Sequence, residues 1–175
     1  MGLALITGST GLVGSESVEF FQKKGFDIIG VDNNLRSLFF GKDASTYWIK
    51  KKLLKNYKSY DHYNIDIRNY NSLLKIFKKY KKNISIIIHC AAQPSHDYGK
   101  KFPLLDFNVN ATGTLNLLEL TKKFCPDAPF IYMSTNKVYG DNPNKLKLIE
   151  KSKRWELKKK DTYYNGIDET LSIDN

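Results

Sequence analysis

The chain has 175 residues, 41% of them hydrophobic and 13% aromatic, the composition of a globular protein that buries one core as a single domain or as part of a larger one. Cys90 and Cys125 stand without a CxxC or histidine-spaced companion, so neither a disulfide framework nor a zinc site is supported. The net charge of +10 arises from 28 Lys and Arg against 18 Asp and Glu, nearly all of it lysine in short runs without a recognition motif, so nucleic acid is not the expected partner.

The first element is the apolar run from Leu3 to Ile6, which stops at Thr7-Gly8-Ser9-Thr10-Gly11-Leu12-Val13-Gly14. Apolar residues that break at a glycine-spaced turn and resume with helical periodicity describe a buried strand feeding a helix. The first N–H groups of that helix lack internal partners and carry the positive end of its dipole, so a pyrophosphate fits there where no side chain blocks it. Residues 12–24 place Gly14, Val18 and Phe21 on one face, the stripe of a helix lying on a sheet. A second run, Ile28-Ile29-Gly30-Val31, ends at Asp32, about 20 residues beyond the glycines, where a dinucleotide fold puts a carboxylate to bond the adenosine ribose.

From Ser37 to Tyr57 the chain is polar and aromatic without a clear period, with a short helix expected around Ser45–Leu54. Tyr60–Asp66 reads as a weak third strand, and Leu73, Leu74, Phe77 and Tyr80 mark a helix that finishes in lysines. Ile84–His89 is an apolar fourth strand, followed by the small residues of Cys90-Ala91-Ala92-Gln93-Pro94. A long helical region from about Leu104 to Phe124 ends at Pro126, and Phe130–Ser134 is the fifth strand. These alternating elements predict an α/β fold: a Rossmann-like, doubly wound parallel sheet, incomplete, with at least five strands flanked by helices and a ligand crevice at the strand C-termini. Residues 1–140 form the expected nucleotide-binding domain, and 141–175 an irregular stretch leading away from it. No apolar run approaches the roughly 18 residues of a membrane span, and the first strand begins beside Met1, so a cytoplasmic protein without a membrane partner is expected.

The spacing of Gly8, Gly11 and Gly14, with Asp32-Asn33-Asn34, Asp66-Ile67-Arg68, Cys90-Ala91-Ala92-Gln93, Asn110-Ala111-Thr112-Gly113-Thr114 and Ser134-Thr135 before Val138-Tyr139-Gly140, resembles the extended short-chain dehydrogenase/reductase family of NAD-dependent epimerases and dehydratases. Residues 91–97 and 134–141 are similar to its CDP-paratose 2-epimerase branch. The resemblance implies NAD as cofactor, a nucleotide-sugar substrate, most simply a CDP-sugar, and a place in lipopolysaccharide biosynthesis. Gly8, Thr10, Gly11, Leu12, Val13 and Gly14 would hold the pyrophosphate, and Asp32, Asn33, Asn34 and Arg36 the adenosine ribose. Asp66 and Ile67 would flank adenine. Ala91, Ala92, Gln93 and Ser134 would pass by the nicotinamide half, with Asn110 bracing that region. The same resemblance makes Thr135 the catalytic hydroxyl that bonds the sugar hydroxyl being oxidised. Ser95, His96, Asn136 and Lys137 would meet substrate, and no metal is implied. Dehydratases of the family carry an Asp and Glu pair where this chain has Asn136 and Lys137, which points to epimerisation rather than loss of water.

One departure bears on activity. The family's base is a tyrosine followed four residues later by lysine, beyond the fifth strand, whereas Tyr139, Tyr163 and Tyr164 are followed at that distance by Pro143, Ile167 and Asp168. The expectation is therefore an N-terminal cofactor-binding fragment, inactive alone, with a downstream polypeptide completing the fold. An unfinished sheet edge after strand five predicts association, homo-oligomers included. The competing readings are a non-catalytic NAD-binding interaction module and an RNA-binding relative that uses the lysines.

Overall fold

Five strands form one parallel sheet in the order β3-β2-β1-β4-β5: β1 is Leu3–Thr7, β2 Asp27–Val31, β3 Tyr60–Tyr63, β4 Ile84–His89 and β5 Phe130–Tyr132. The central strands are apolar at nearly every position because both of their faces are covered. Alternation divides β1 between two cores. Leu5 joins Ile29, Val31, Leu73, Phe77, Ile87, Val109, Leu117 and Leu120 on one side. Ala4 and Ile6 join Val18, Ile28, Leu53, Tyr60 and Ile88 on the other. The chain runs from β1 outward through β2 to β3, then returns to place β4 on β1's other side. A crevice therefore opens between the C-termini of β1 and β4, where a doubly wound sheet takes its ligand.

The computed structural model describes residues 2–135 and 138–173. It divides into two compact units, Met1–Met133 and Ser134–Asn175. In the first, α1 (Leu12–Lys23), α2 (Arg36–Phe40) and α3 (Tyr47–Asn56) precede β3. α4 (Tyr70–Tyr80), α5 (His96–Lys101), α6 (Pro103–Phe107) and α7 (Gly113–Phe124) complete it. The second unit holds a short antiparallel hairpin, β6 (Leu148–Glu150) with β7 (Trp155–Leu157).

Four expectations are corrected in detail, the first being the fifth strand, which ends at Tyr132 rather than Ser134. The third strand ends at Tyr63 rather than Asp66, because the Ile65 N–H bonds the Tyr63 carbonyl and the Asp66 side chain captures the Arg68 N–H at 2.9 Å, turning the chain. The helix expected from Ser45 begins at Tyr47 instead, and α2 precedes it within the stretch read as aperiodic. The region from Leu104 to Phe124 is helical but not uniformly α: Asn108–Thr112 is a π turn between α6 and α7. The Thr114 hydroxyl donates to the Asn110 carbonyl at 2.6 Å there, competing with the backbone ladder.

The lysine runs have a structural place. Lys23, Lys55, Lys78, Lys79, Lys122 and Lys123 occupy the last turns of α1, α3, α4 and α7, where cations meet the negative end of the helix dipole. In a parallel sheet wound with helices those ends lie away from the crevice.

Candidate functional site

The crevice is a cleft of about 230 Å³ whose lining includes Gly8, Gly11, Leu12, Val13, Gly14, Asp32, Asn33, Arg36, Asp66, Ile67, Ala91 and Ala92. Twelve of the residues singled out in the sequence thus meet at one place, brought there from four strand ends. Its floor is the turn after β1. Gly8 takes φ +64°, in the left-handed region that strains a residue with a Cβ, and an added Cβ would lie 2.7 Å from the Ala91 nitrogen. At Gly14 a Cβ would run into the Gly8 carbonyl oxygen, so α1 packs on the turn only because that position is bare. The first turn of α1 contains no acidic residue, which leaves its N-terminus electropositive toward the cleft.

Asp32 joins the turn to the loop beyond β2. One carboxylate oxygen accepts from the Thr10 N–H at 3.1 Å and the other from the Asn34 N–H at 2.7 Å. Each oxygen keeps a lone pair for a further donor, such as a ribose hydroxyl. Asp66 sits across the cleft. Burial pushes its carboxyl pKa up, but the hydrogen bonds from the Arg68 side chain and backbone, the Arg68 charge and the Asn33 amide together hold it below the usual carboxylate range.

Other predicted residues serve the site from behind. Thr10 and Asn34 are not among the lining residues. The Asn34 amide is spent on the protein: its oxygen accepts from the Thr46 N–H at 2.8 Å and hydroxyl at 3.2 Å, and its nitrogen donates to Ser45 and Ser37. Thr46 in turn bonds Thr10 Oγ1 at 2.8 Å. These contacts clamp residues 35–46 over one end of the cleft, bringing Leu35, Phe39, Phe40 and Thr46 into the wall. The Arg36 guanidinium lies 4.9 Å above the Phe40 ring, and Phe39 packs on Tyr98 at 4.8 Å. Sequence reading missed this wall; the pair Phe39-Phe40 in a polar stretch was its one signal.

On the far side Gln93 is buried and does not line the cleft. Its N–H donates to Asn110 Oδ1 at 2.8 Å, its amide donates to Asp106 Oδ1 at 2.6 Å and accepts from the Ser95 N–H at 2.6 Å. Asn110 donates back to the Gln93 carbonyl at 3.2 Å. Asp106, not singled out in the sequence, anchors both amides. The Ala91 turn is also held through Thr7. Thr114 donates to Asn110, so it accepts from His89 Nε2; His89 Nδ1 then accepts from Thr7 Oγ1 at 2.6 Å, and Thr7 accepts the Ala91 N–H at 3.2 Å. Burial keeps His89 neutral by pushing its pKa down to about 4. Burial likewise raises the Cys90 thiol to about 11, so this cleft-lining cysteine is not a nucleophile at neutral pH.

Two of the remaining predicted residues lie in the first unit at α5 and are not among the cleft lining. Ser95 caps α5, and His96 is exposed in its first turn. Ser134 and Thr135 begin the second unit, where both are exposed. Asn136 and Lys137 fall outside the described residues. Among the described residues no cluster of ligating side chains could hold a metal ion, and no helix is long and apolar enough to cross a membrane.

A parallel doubly wound sheet with a bare glycine turn at its switch point and a carboxylate at the end of β2 is the architecture of the dinucleotide-binding folds. Comparison with known proteins narrows the class. The sequence profile of the NAD dependent epimerase/dehydratase family matches residues 4–164, and the chain belongs to that family. It is 34% identical over 170 residues to CDP-paratose 2-epimerase of Salmonella typhi, covering 97% of this chain and 46% of that protein. It is 36% identical over 144 residues to UDP-glucuronate 4-epimerase of Thermodesulfobacterium geofontis, covering 82% and 42%. Among solved structures, UDP-glucose 4-epimerase from Bifidobacterium longum in complex with NAD+ and UDP superposes with a TM-score of 0.66 at 25% identity, covering 85% of this chain and 41% of that one. The chain thus spans less than half the length of these relatives.

Proposed function

We propose that this chain is the cofactor-binding part of an NAD-dependent nucleotide-sugar epimerase of the CDP-paratose 2-epimerase kind. The observation that carries the reading is the cleft itself. Bare glycines at a helix N-terminus line the same cleft as an Asp32 carboxylate that is already ordered by the Thr10 and Asn34 N–H groups. The donor set fits a dinucleotide: backbone N–H groups and dipole for the pyrophosphate, a carboxylate for ribose hydroxyls, Asp66 and Ile67 beside adenine. A carboxylate at the ribose repels a 2′-phosphate, which favours NAD over NADP.

When bound, NAD supplies the hydride acceptor and donor for a transient oxidation of a sugar hydroxyl. The residues of this chain do the holding. Ala91 and Ala92 offer a small, flat backbone surface for the nicotinamide end, fixed from behind by Thr7, His89, Gln93 and Asn110. Thr135 would hydrogen-bond the sugar hydroxyl, with Ser134 beside it and Ser95, His96, Asn136 and Lys137 toward the substrate. The base that takes the hydroxyl proton would come from polypeptide outside these residues, since no tyrosine after β5 has a lysine four positions on. Epimerisation, rather than dehydration, follows from Asn136 and Lys137 standing where elimination needs an acid and a base.

Isothermal titration tests this directly. NAD binding at micromolar concentration, with NADP at least about tenfold weaker, is the expected result. Absence of NAD binding to folded protein overturns the reading. Interconversion of a CDP-sugar is expected only when the remaining half of an epimerase is supplied; NAD binding without turnover under that condition would favour a non-catalytic module. An RNA-binding role gains no support from lysines that sit at helix ends away from the cleft.

A further inference from the structure

The phosphate turn is tied to a strand two places away in the sheet. Ser9, wholly buried, lies between Gly8 and Thr10, and its Oγ is 2.9 Å from the hydroxyl of Tyr60 on β3. Between β1 and β3 runs β2, and the Tyr60 ring crosses it at the place where β2 has no side chain. A Cβ on Gly30 would lie 2.5 Å from both Tyr60 Cε2 and its hydroxyl, and 2.7 Å from Ser9 Oγ. Ile28 pairs with Tyr60 and Gly30 with His62, so Gly30 lies next along the same face of β2 as Ile28. The Tyr60 hydroxyl is satisfied on its other side by His62 Nδ1 at 3.0 Å.

We propose that Tyr60 is a positioning residue for the phosphate-binding turn, acting through Ser9 across the gap that Gly30 leaves in β2. Nothing else in the first unit explains the combination. A tyrosine that is 3% exposed places its one polar side-chain atom on Ser9, a buried turn residue that does not line the cleft. A serine there would otherwise be a buried hydroxyl without reason, because the turn needs bare backbone rather than a side chain. The phenol stays protonated, since burial pushes its pKa up to about 12, and so it always has one hydrogen for Ser9 or His62 and a lone pair for the other. The N–H groups of residues 8 to 11 are spent on Val31, Asp32 and Gly8, so the tie acts by fixing the turn that aims the first N–H groups of α1, which are what an anion reads.

The inference rests on the reading that this turn holds a pyrophosphate, and the test separates the two. Tyr60→Phe keeps the ring and removes the hydroxyl. In the 175-residue chain it is expected to weaken ADP binding about tenfold, the equivalent of about 1.4 kcal/mol for one lost buried hydrogen bond, while adenosine, which lacks phosphates, binds as before. Ser9→Ala should give the same split, and the double variant should be no worse than either single one. Amide exchange at residues 9–12 should speed up in Tyr60→Phe without any ligand. Equal losses for adenosine and ADP, additive losses in the double variant, or unchanged exchange in the turn would each overturn the proposal. If the parent chain binds neither ligand while Tyr60→Phe still accelerates exchange at 9–12, the tie stands and the nucleotide reading alone fails. Should Tyr60→Phe not fold, Ser9→Ala carries the same measurements.

Discussion

The Thr10 N–H donates to Asp32 Oδ2 at 3.1 Å, so the acid expected to face the ribose is also a strut of the turn expected to face the phosphates. These two parts of the cleft, 22 residues apart in sequence, are one hydrogen-bonded object. Replacing Asp32 by Asn keeps the shape but leaves one acceptor where two are needed. NAD affinity should fall roughly 10- to 100-fold, as expected for loss of charge-assisted bonds of about 1.5–3 kcal/mol. The preference for NAD over NADP should narrow with it. Titration of both dinucleotides against Asp32→Asn measures the two effects together.

Gly14 makes a backbone contact that no rotamer can relieve, because the obstacle to a Cβ is the Gly8 carbonyl. Gly14→Ala is expected to push α1 off the turn at a cost of about 1–3 kcal/mol, the range for overpacking a filled interior. Urea unfolding followed by circular dichroism should show the midpoint shift, with NAD binding lost in parallel.

The clamp over one end of the cleft depends on a residue in an unusual conformation. Asn34 has φ +56°, which asparagine tolerates better than most side chains, and its amide holds Thr46, Ser45 and Ser37. Asn34→Gly preserves the backbone and deletes the amide. Residues 36–45 should then become cleavable by protease under native conditions, and NAD should bind a few-fold more weakly. Limited proteolysis with mass mapping checks the first outcome, and protection by added NAD would link the two.

Acid should destabilise the chain before its carboxylates titrate. His89 has a folded pKa near 4 because burial disfavours its charge, against about 6.5 when unfolded. The unfolded chain therefore binds the proton first, and stability falls as pH drops from about 6.5 to about 4, by roughly 3 kcal/mol when complete. His62 is also pushed to about 4, mainly by burial and by the charge of Lys50, but it is partly solvated and adds less. Asp66, held low mainly against its burial by Arg68, loses its contribution only below its unfolded value of about 4, outside that window. Urea midpoints measured at pH 7, 5.5 and 4.5 should decline steadily, and His89→Asn should flatten most of the decline.

The cleft of this protein is readable from the chain because its signals are local. A glycine at 8 needs left-handed backbone, one at 14 admits a helix, and an acid closes the next strand; each is decided within a few residues. The same locality accounts for the strands at 3–7, 27–31 and 84–89, whose apolar runs leave no surface to face water. Alternation and helical periodicity likewise carry α1, α4 and most of α7. Where the periodicity is weak, at α2 and in the hairpin of β6 and β7, little is buried, and the sequence holds no pattern for burial to impose.

By itself, then, the sequence determined a parallel sheet with a glycine-spaced turn after β1, an acid at the end of β2 and the small residues after β4. Only the tertiary structure decided that Asn34 and Gln93 brace the site from behind, that Phe39, Phe40 and Thr46 wall it, and that Tyr60 reaches Ser9 over Gly30. Those outcomes depend on which side chains meet across strands far apart in the chain. Contact between them follows from sheet order and register, quantities set by the packing of the whole core and by no single stretch of residues.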